Sequence, residues 1–222
     1  EECKDAQLII VTAGIARKPG QTRLELAKIN VSIAKSITES IMKYAENPLI
    51  VVVSNPADIL TTVIQEISGL PADRVIGSGT SLDTARFRHN LSTELGVSVA
   101  DIQAYITGEH GDSQVPVWSS ATVAGLPLEV YTKQEGIVLD KAEIAEHTKT
   151  GGAEIIGLKG ATFYGVAMAV STIVEAILKD NHAVLPVAHV LDESFGEWAG
   201  VAASLPCRIG SEGIEACYRI PM

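Results

Sequence analysis

Apolar residues occur in two textures along this chain. Gln7 to Val11 and Leu49 to Val53 are short runs rich in β-branched residues, the pattern of strands buried on both faces of a parallel sheet. Thr12-Ala13-Gly14 follows the first run and Ser54-Asn55-Pro56-Ala57-Asp58 the second. A third, shorter run, Arg74 to Ile76, ends in Gly77-Ser78-Gly79. Between these runs the apolar spacing becomes helical. Leu26, Ile29, Ile33, Ile37 and Ile41 predict a helix from Leu24 to about Ala45, with Thr22 as a candidate cap after a turn at Pro19-Gly20. A second helix is expected from Ile59 to Ile67. Strands alternating with helices over the first ~80 residues predict a doubly wound parallel sheet, whose ligands gather at the C-terminal strand ends.

The pattern changes after a helix expected over Leu82 to Leu95. Gln103 to Ile106 and Val115 to Val117 read as strands flanking Gly108-Glu109-His110-Gly111-Asp112. A helix is expected from Ala142 to Tyr164, with a break near Gly151-Gly152, and another from Gly165 to Lys179. Val184 to Leu191, Ala199 to Leu205 and Cys207 to Ile209 read as antiparallel strands joined by glycine-bearing turns. The expected fold class is therefore α/β. A partial doubly wound sheet in residues 1–80 is followed by a mixed α+β unit in residues 81–222.

Composition narrows the function. The 222 residues are 46 % apolar and 20 % charged, with a formal net charge of −10. An acidic chain repels nucleic acid and anionic lipid, so neither is an expected partner. No apolar run approaches the ~20 residues of a membrane span. The first residues lack the basic-then-apolar order of a signal peptide, and the expected location is the cytoplasm. Cys3, Cys207 and Cys217 form no Cys-x-x-Cys pair and no even framework. They point away from a disulfide scaffold; Cys207 and Cys217 read as small buried residues. No His/Asp/Glu cluster has metal-ligand spacing, so no metal is expected.

Several polar residues carry candidate chemistry. His110 sits in a glycine-flanked loop, where the backbone can approach a ligand closely; the alternative is an ordinary surface histidine. Asp83 and Arg86 share a helix face three residues apart, as a functional pair or as a solvated ion pair. Arg23 follows the Pro-Gly loop, and Asn55 closes a strand or simply forms its turn.

Taken together, Thr12-Ala13-Gly14, Arg17-Lys18-Pro19-Gly20-x-x-Arg23, Ser54-Asn55-Pro56-x-Asp58, Leu82-Asp83-Thr84-Ala85-Arg86-Phe87-Arg88 and Gly108-Glu109-His110-Gly111-Asp112-Ser113 resemble the L-lactate/L-malate dehydrogenase family. The resemblance runs from Ala6 to Met222. It implies a Rossmann-like nucleotide domain, NAD as cofactor and a small 2-oxo or 2-hydroxy acid as substrate. It also implies a homo-oligomer, dimeric or tetrameric. His110 is then the proton donor and acceptor, Asp83 its carboxylate partner, Arg86 the grip on the substrate carboxylate and Arg23 the group that polarises the carbonyl. Asn55 contacts substrate or nicotinamide. Gly14, Ile15, Ser36, Val53, Ser54, Asn55 and Ser78 are the cofactor contacts.

The chain departs from the family at one point. The Gly-x-Gly-x-x-Gly fingerprint after the first strand and the acidic residue that grips the ribose are both absent. By resemblance the chain begins near the fourth strand of the nucleotide domain and stops before the final helix, so weak NADH binding is expected of these residues alone. A catalytically inactive fragment with a structural or interaction role is the alternative of another class.

Substrate choice divides between two features. Arg17 stands at the loop position where malate enzymes carry Arg. Gly77-Ser78-Gly79-Thr80 and Lys159-Gly160-Ala161-Thr162-Phe163-Tyr164-Gly165 look lactate-type, with Thr162 crowding the far end of the substrate pocket from a helix. The preferred reading is lactate dehydrogenase, with malate dehydrogenase as the alternative. Arg88 matches an Arg that binds fructose 1,6-bisphosphate in bacterial lactate enzymes. Its usual His partner is Gln103 here, so weak or no activation is expected.

Overall fold

The computed structural model describes residues 2–15 and 23–221, apart from the side chain of Arg23. The expected turn at Pro19-Gly20 and cap at Thr22 lie outside them. The elements run β1 (Leu8–Val11), α1 (Arg23–Ile41), β2 (Leu49–Val52), α2 (Ala57–Ser68), β3 (Val75–Gly77) and α3 (Ser81–Leu95). Five two-residue strands follow: β4 (Ile102–Gln103), β5 (Ile106–Thr107), β6 (Val115–Pro116), β7 (Thr122–Val123) and β8 (Leu126–Pro127). Then come α4 (Leu128–Glu135), α5 (Lys141–Lys159), α6 (Tyr164–Lys179), β9 (Ala183–Val190), β10 (Ala202–Gly210) and β11 (Gly213–Cys217). Among the described residues no helix is long and apolar enough to cross a membrane.

The main sheet has the order β1-β2-β3-β9-β10-β11. The first three strands are parallel, and the last three join them antiparallel through Gly77 opposite Ala188. The late strands thus extend the early sheet. Strand periodicity sends alternate side chains of β2 to opposite faces. Leu49 and Val51 pack with Ile173 and Ile177 of α6. Ile50 and Val52 pack with Ala34 of α1 and with Leu60 and Ile64 of α2. Helices on both faces make the sheet doubly wound. A third core, built on Phe87, Leu91, Ile102, Ile106 and Ile144, joins α3, α5 and the short strands.

The face that α1 buries is displaced from the apolar stripe in the sequence. Its buried residues are Ala27, Asn30, Ala34, Thr38 and Ile41, whereas Ile29 is 42 % exposed. Small side chains let the helix lie close to its neighbours. The Thr38 hydroxyl donates to the Ala34 carbonyl at 2.8 Å, which removes the penalty for burying it.

Three further expectations are corrected. The helix placed over Ala142 to Tyr164 is α5, which runs through Gly151-Gly152 without a break and stops at Lys159. Gly160, at φ 81°, ends it in the left-handed conformation that favours glycine. The strand placed over Gln103 to Ile106 is two strands, β4 pairing with β7 and β5 with β6. The strands placed over Ala199 to Leu205 and Cys207 to Ile209 are one continuous β10, and β11 was not anticipated. Pro206, which falls between the two expected strands, lies within β10 opposite Pro186. The Pro206 carbonyl accepts from Tyr218, and that of Pro186 from Ser81, so both prolines turn their missing donors away from the β9–β10 ladder.

The glycines after β3 allow the two halves of the sheet to meet. A Cβ on Gly79 would lie 2.3 Å from Ser204 Oγ and 2.7 Å from Ala188 N, at φ +47°. Gly69 also has positive φ (+66°) but has open space around it. Gly79→Ala is expected to destabilise the protein by about 2 kcal/mol or more, against about 1 kcal/mol for Gly69→Ala. Urea unfolding of the two variants checks the difference.

Candidate active site

The His110 loop leaves β5 and is held at its entrance by backbone pairing. Gly108 N–H donates to Ser204 O at 2.9 Å and Ser204 N–H to Gly108 O at 2.8 Å, with Gly108 at φ +83°. Ser204 is fully buried in β10, and its hydroxyl accepts from Thr80 N–H at 3.0 Å. Thr80 Oγ1 donates to Ile106 O at 2.5 Å, and Thr84 Oγ1 accepts from Ile106 N–H at 2.9 Å. Two buried hydroxyls therefore tie the start of α3 to the strand that feeds the loop, and a third ties it to β10.

This scaffold brings His110, Asp83 and Arg86 together. His110 Nδ1 lies 2.6 Å from Asp83 Oδ2, and Arg86 Nη1 lies 3.3 Å from Asp83 Oδ1. The Asp83 side chain is 5 % exposed, Arg86 19 % and His110 26 %, so one buried carboxylate serves two partly accessible groups. Helix spacing explains the first pair, since residues three apart share a face. The loop anchor explains the second. Gly151 and Gly152 of α5 lie against the Arg86 side chain: a Cβ would come 3.5 Å from its Cδ at Gly151 and 3.4 Å from its Nη2 at Gly152, ordinary contact distances.

Asp58 completes the cluster. Its Oδ2 accepts from His110 N–H at 2.8 Å, while its Oδ1 is buried without a hydrogen-bond partner. Burial raises its pKa, against the opposing hydrogen bond and charge of His110; Glu109 and Asp83 push it further up. Burial also works against a charged His110. The hydrogen bond and charge of Asp83, helped by Asp58 and opposed by Arg86, outweigh it and raise the imidazole above its ordinary 6.5.

The expected cofactor contacts gather at the strand ends, with one exception. The Ser54 hydroxyl donates to Ala13 O at 2.7 Å and so ties the ends of β2 and β1 together. Buried Asn30 does the same from α1. Its Oδ1 accepts from Ile15 N–H at 2.9 Å, and its Nδ2 donates to Ile15 O at 3.2 Å and Asn55 O at 2.7 Å. Gly14 packs on the Asn30 amide. Val53 N–H donates to Val11 O, and Ser78 N–H to Val52 O. Ser36 lies exposed on α1, six residues past Asn30 and about 9 Å further along the axis. Residues 12–15 and Asn55 are exposed. This rim of small side chains and accessible backbone suits an extended dinucleotide laid across the strand ends.

Other expected site residues fall elsewhere. Arg17 and the Arg23 side chain lie outside the described residues. Thr162 sits in the junction between α5 and α6, not on a helix, because Gly160 ends α5 first. Arg88 turns inward, its Nε donating to Ala104 O at 2.9 Å and its guanidinium 5.2 Å from the Tyr105 ring centre. The sequence reading missed Asn30, Asp58, Thr80, Thr84 and Ser204. The available signal was a polar residue at a core position of an otherwise apolar element, clearest for Asn30. Strand pairing gathers His189, Cys207 and Cys217, and the end of α6 gathers Asp180 and His182 with Glu215, at separations that local spacing does not reveal.

Open parallel strand ends beside an imidazole, a carboxylate and a guanidinium fit the class of dinucleotide-dependent oxidoreductases. Comparison with known proteins makes the class specific. Residues 1–77 match the lactate/malate dehydrogenase NAD binding domain. Residues 80–222 match the lactate/malate dehydrogenase alpha/beta C-terminal domain. The L-lactate dehydrogenase of Nitratidesulfovibrio vulgaris is 44 % identical over 225 residues, covering 100 % of this chain and 72 % of its own. That of Moorella thermoacetica is 46 % identical over 224 residues, covering 100 % and 71 %. Among solved structures, an L-lactate dehydrogenase from Clostridium thermocellum superposes with a TM-score of 0.88 at 48 % identity, over 100 % of this chain and 71 % of that one. The minor L-lactate dehydrogenase of Enterococcus mundtii, in its ligands-bound form, gives 0.93 at 41 % identity, over 99 % and 70 %. The chain belongs to the lactate/malate dehydrogenase family, whose members are NAD-dependent oxidoreductases.

If Asp58 adds negative charge beside His110, Asp58→Asn keeps an oxygen to accept the loop N–H but removes the charge. The imidazole of His110 is then expected to titrate at lower pH than in the unaltered protein, as followed by NMR. Identical titration curves contradict the assignment.

Proposed function

We propose that the protein is an L-lactate dehydrogenase that interconverts pyruvate and L-lactate, with His110 as the proton donor and acceptor. The observation that carries this reading is the shared Asp83 carboxylate, which joins a titratable ring to a guanidinium at the open end of the sheet. Residues 1–80 serve the nucleotide and residues 81–222 the substrate. A cytoplasmic homo-oligomer, dimeric or tetrameric, belongs to the same proposal.

The chemistry follows from the geometry. Asp83 takes up His110 Nδ1, which leaves Nε2 as the nitrogen that faces substrate. Asp83 holds the ring in one tautomer and stabilises its charged form. The imidazolium gives its proton to the carbonyl oxygen of pyruvate and recovers it from the hydroxyl of lactate. Arg86 grips the carboxylate with two parallel N–H donors, a geometry that Lys cannot reproduce. Arg23 polarises the carbonyl and stabilises the charge that develops on its oxygen. The Asn55 side chain hydrogen-bonds substrate, and Thr162 limits the far end of the pocket. Gly14, Ile15, Ser36, Val53, Ser54, Asn55 and Ser78 hold NAD, which supplies or accepts the hydride when bound.

Oxaloacetate is the second reading, and Arg17 favours it. An arginine closed over pyruvate has only a methyl group to face, whereas oxaloacetate offers it a carboxylate. Pyruvate is preferred because Thr162, between the ends of α5 and α6, is read as crowding the far end of the substrate pocket.

Rates with both acids across pH, measured on the native polypeptide, test the proposal. A raised imidazole pKa means that the charged form is complete below it and lost as pH climbs through it. Pyruvate reduction is therefore expected to decline with rising pH on the alkaline side of 6.5, and lactate oxidation to increase. His110→Asn is expected to lower kcat by about 10²- to 10⁴-fold. A pH-independent chemical step, or a His110→Asn variant within tenfold of the parent, overturns the role of His110. A large kcat/KM preference for oxaloacetate overturns the substrate alone.

A further inference from the structure

Nine residues separate Cys207 from Cys217, yet the two face each other across β10 and β11. The next pair out, Pro206 and Tyr218, is joined by a Tyr218 N–H bond to Pro206 O at 2.9 Å. Alternation along the ladder then makes Cys207–Cys217 a non-hydrogen-bonded pair, the kind in which Cα atoms approach to about 4.5 Å and side chains come closest. That approach lies within the ~4.4–6.8 Å range of disulfide-bridged residues. The two sulfurs are 2.7 Å apart. His189 of β9 stands beside them, its Nε2 3.3 Å from Cys217 Sγ and its Nδ1 3.8 Å from each sulfur.

The two thiols differ in access. Cys207 is fully buried in the sheet core. Cys217 is half-buried and borders a cavity of about 340 Å³, shared with His189, Asp192, Phe195 and Arg219. The hydrogen bond from Cys207 holds the Cys217 thiol down at about 6; burial opposes this and His189 assists. The same Cys207–Cys217 contact, together with burial, pushes Cys207 up. One thiol is thus accessible and readily ionised, and the other is held behind it as a resolving partner.

We propose that Cys207 and Cys217 form a dithiol redox site, which a low-molecular-weight disulfide oxidises to a cross-strand disulfide with His189 as the proton acceptor. Cys217 gives its proton to His189, and its thiolate attacks one sulfur of the small disulfide R–S–S–R. That S–S bond breaks, and the departing RS⁻ takes the proton from His189. Cys217 now carries S–R. Cys207 sulfur attacks the Cys217 sulfur, the bond to S–R breaks, and the Cys207 proton leaves with the second RS⁻. The protein loses two electrons and two protons, and the small disulfide becomes two thiols. In a reducing compartment the pair rests as the dithiol and bridges only under oxidation. A zinc ion is the competing occupant. Two thiolates on tetrahedral zinc, with bonds of about 2.3 Å, lie about 3.8 Å apart, wider than the separation here.

The test treats the reduced native protein with oxidised glutathione, blocks free thiols by alkylation and maps tryptic peptides by mass. Cleavage after Arg208 places the two cysteines on separate peptides. The expected product is a linked pair containing Cys207 and Cys217, reversed by a dithiol reductant. In Cys207→Ser the reaction is expected to stop at a glutathione adduct on Cys217. His189→Gln is expected to slow bridging by about tenfold. Full alkylation of both cysteines after oxidation, or adducts with no internal bridge in the unaltered protein, overturns the proposal. So does a thiolate-to-metal absorption band on adding cobalt(II) to the reduced protein, accompanied by protection of both thiols from glutathione.

Discussion

One buried carboxylate organises the catalytic end of this protein. Asp83 shares its two oxygens between His110 and Arg86, at 2.6 and 3.3 Å. A carboxylate this far from water is costly unless its charge is answered, and two cationic or titratable partners answer it. The same arrangement couples the two tasks proposed for the site. The group proposed to hold the substrate anion and the group proposed to move the proton are positioned from one point on α3.

The rest of the fold serves that point by fixing backbone. Thr80 and Thr84 spend their hydroxyls on the strand leading to His110, while Ser204 pairs its backbone with Gly108 and its hydroxyl with Thr80 N–H. Asp58 holds the His110 backbone from the side of the parallel sheet. Asn30 and Ser54 tie the strand ends to one another. Each of these residues is buried or half-buried and makes at least one of these hydrogen bonds, and together the bonds stiffen the site. Glycine supplies the remaining freedom at Gly79, where the chain after β3 passes Ser204.

The strands and motifs were legible because their signals are local. An uninterrupted apolar run such as Leu49 to Val52 has few other meanings, and the Asp83–Arg86 spacing alone places both on one helix face. The arrangement of α1 was not legible, because which face is buried depends on how closely the helix approaches the sheet. Small Ala27 and Ala34 won over larger Ile29 and Ile33. Pro206 misled for a related reason: its cost depends on which neighbour its nitrogen faces, and only the pairing with Pro186 reveals that. The same holds for Asp58 and Ser204, whose partners lie 52 and 124 positions away. The cysteine pair was hidden by register: Gly210 and Gly213 among the nine intervening residues signal a turn, but not the pairing that sets Cys207 opposite Cys217.

The most direct test of the shared carboxylate is Asp83→Asn, read by the pH dependence and the KM of pyruvate reduction together. The neutral amide keeps the shape but removes the charge that both partners use. The account predicts a lower kcat, a pH midpoint moved downward and a raised KM, all from one substitution. A variant whose midpoint and KM both match the parent would show that Asp83 is not the group on which His110 and Arg86 depend.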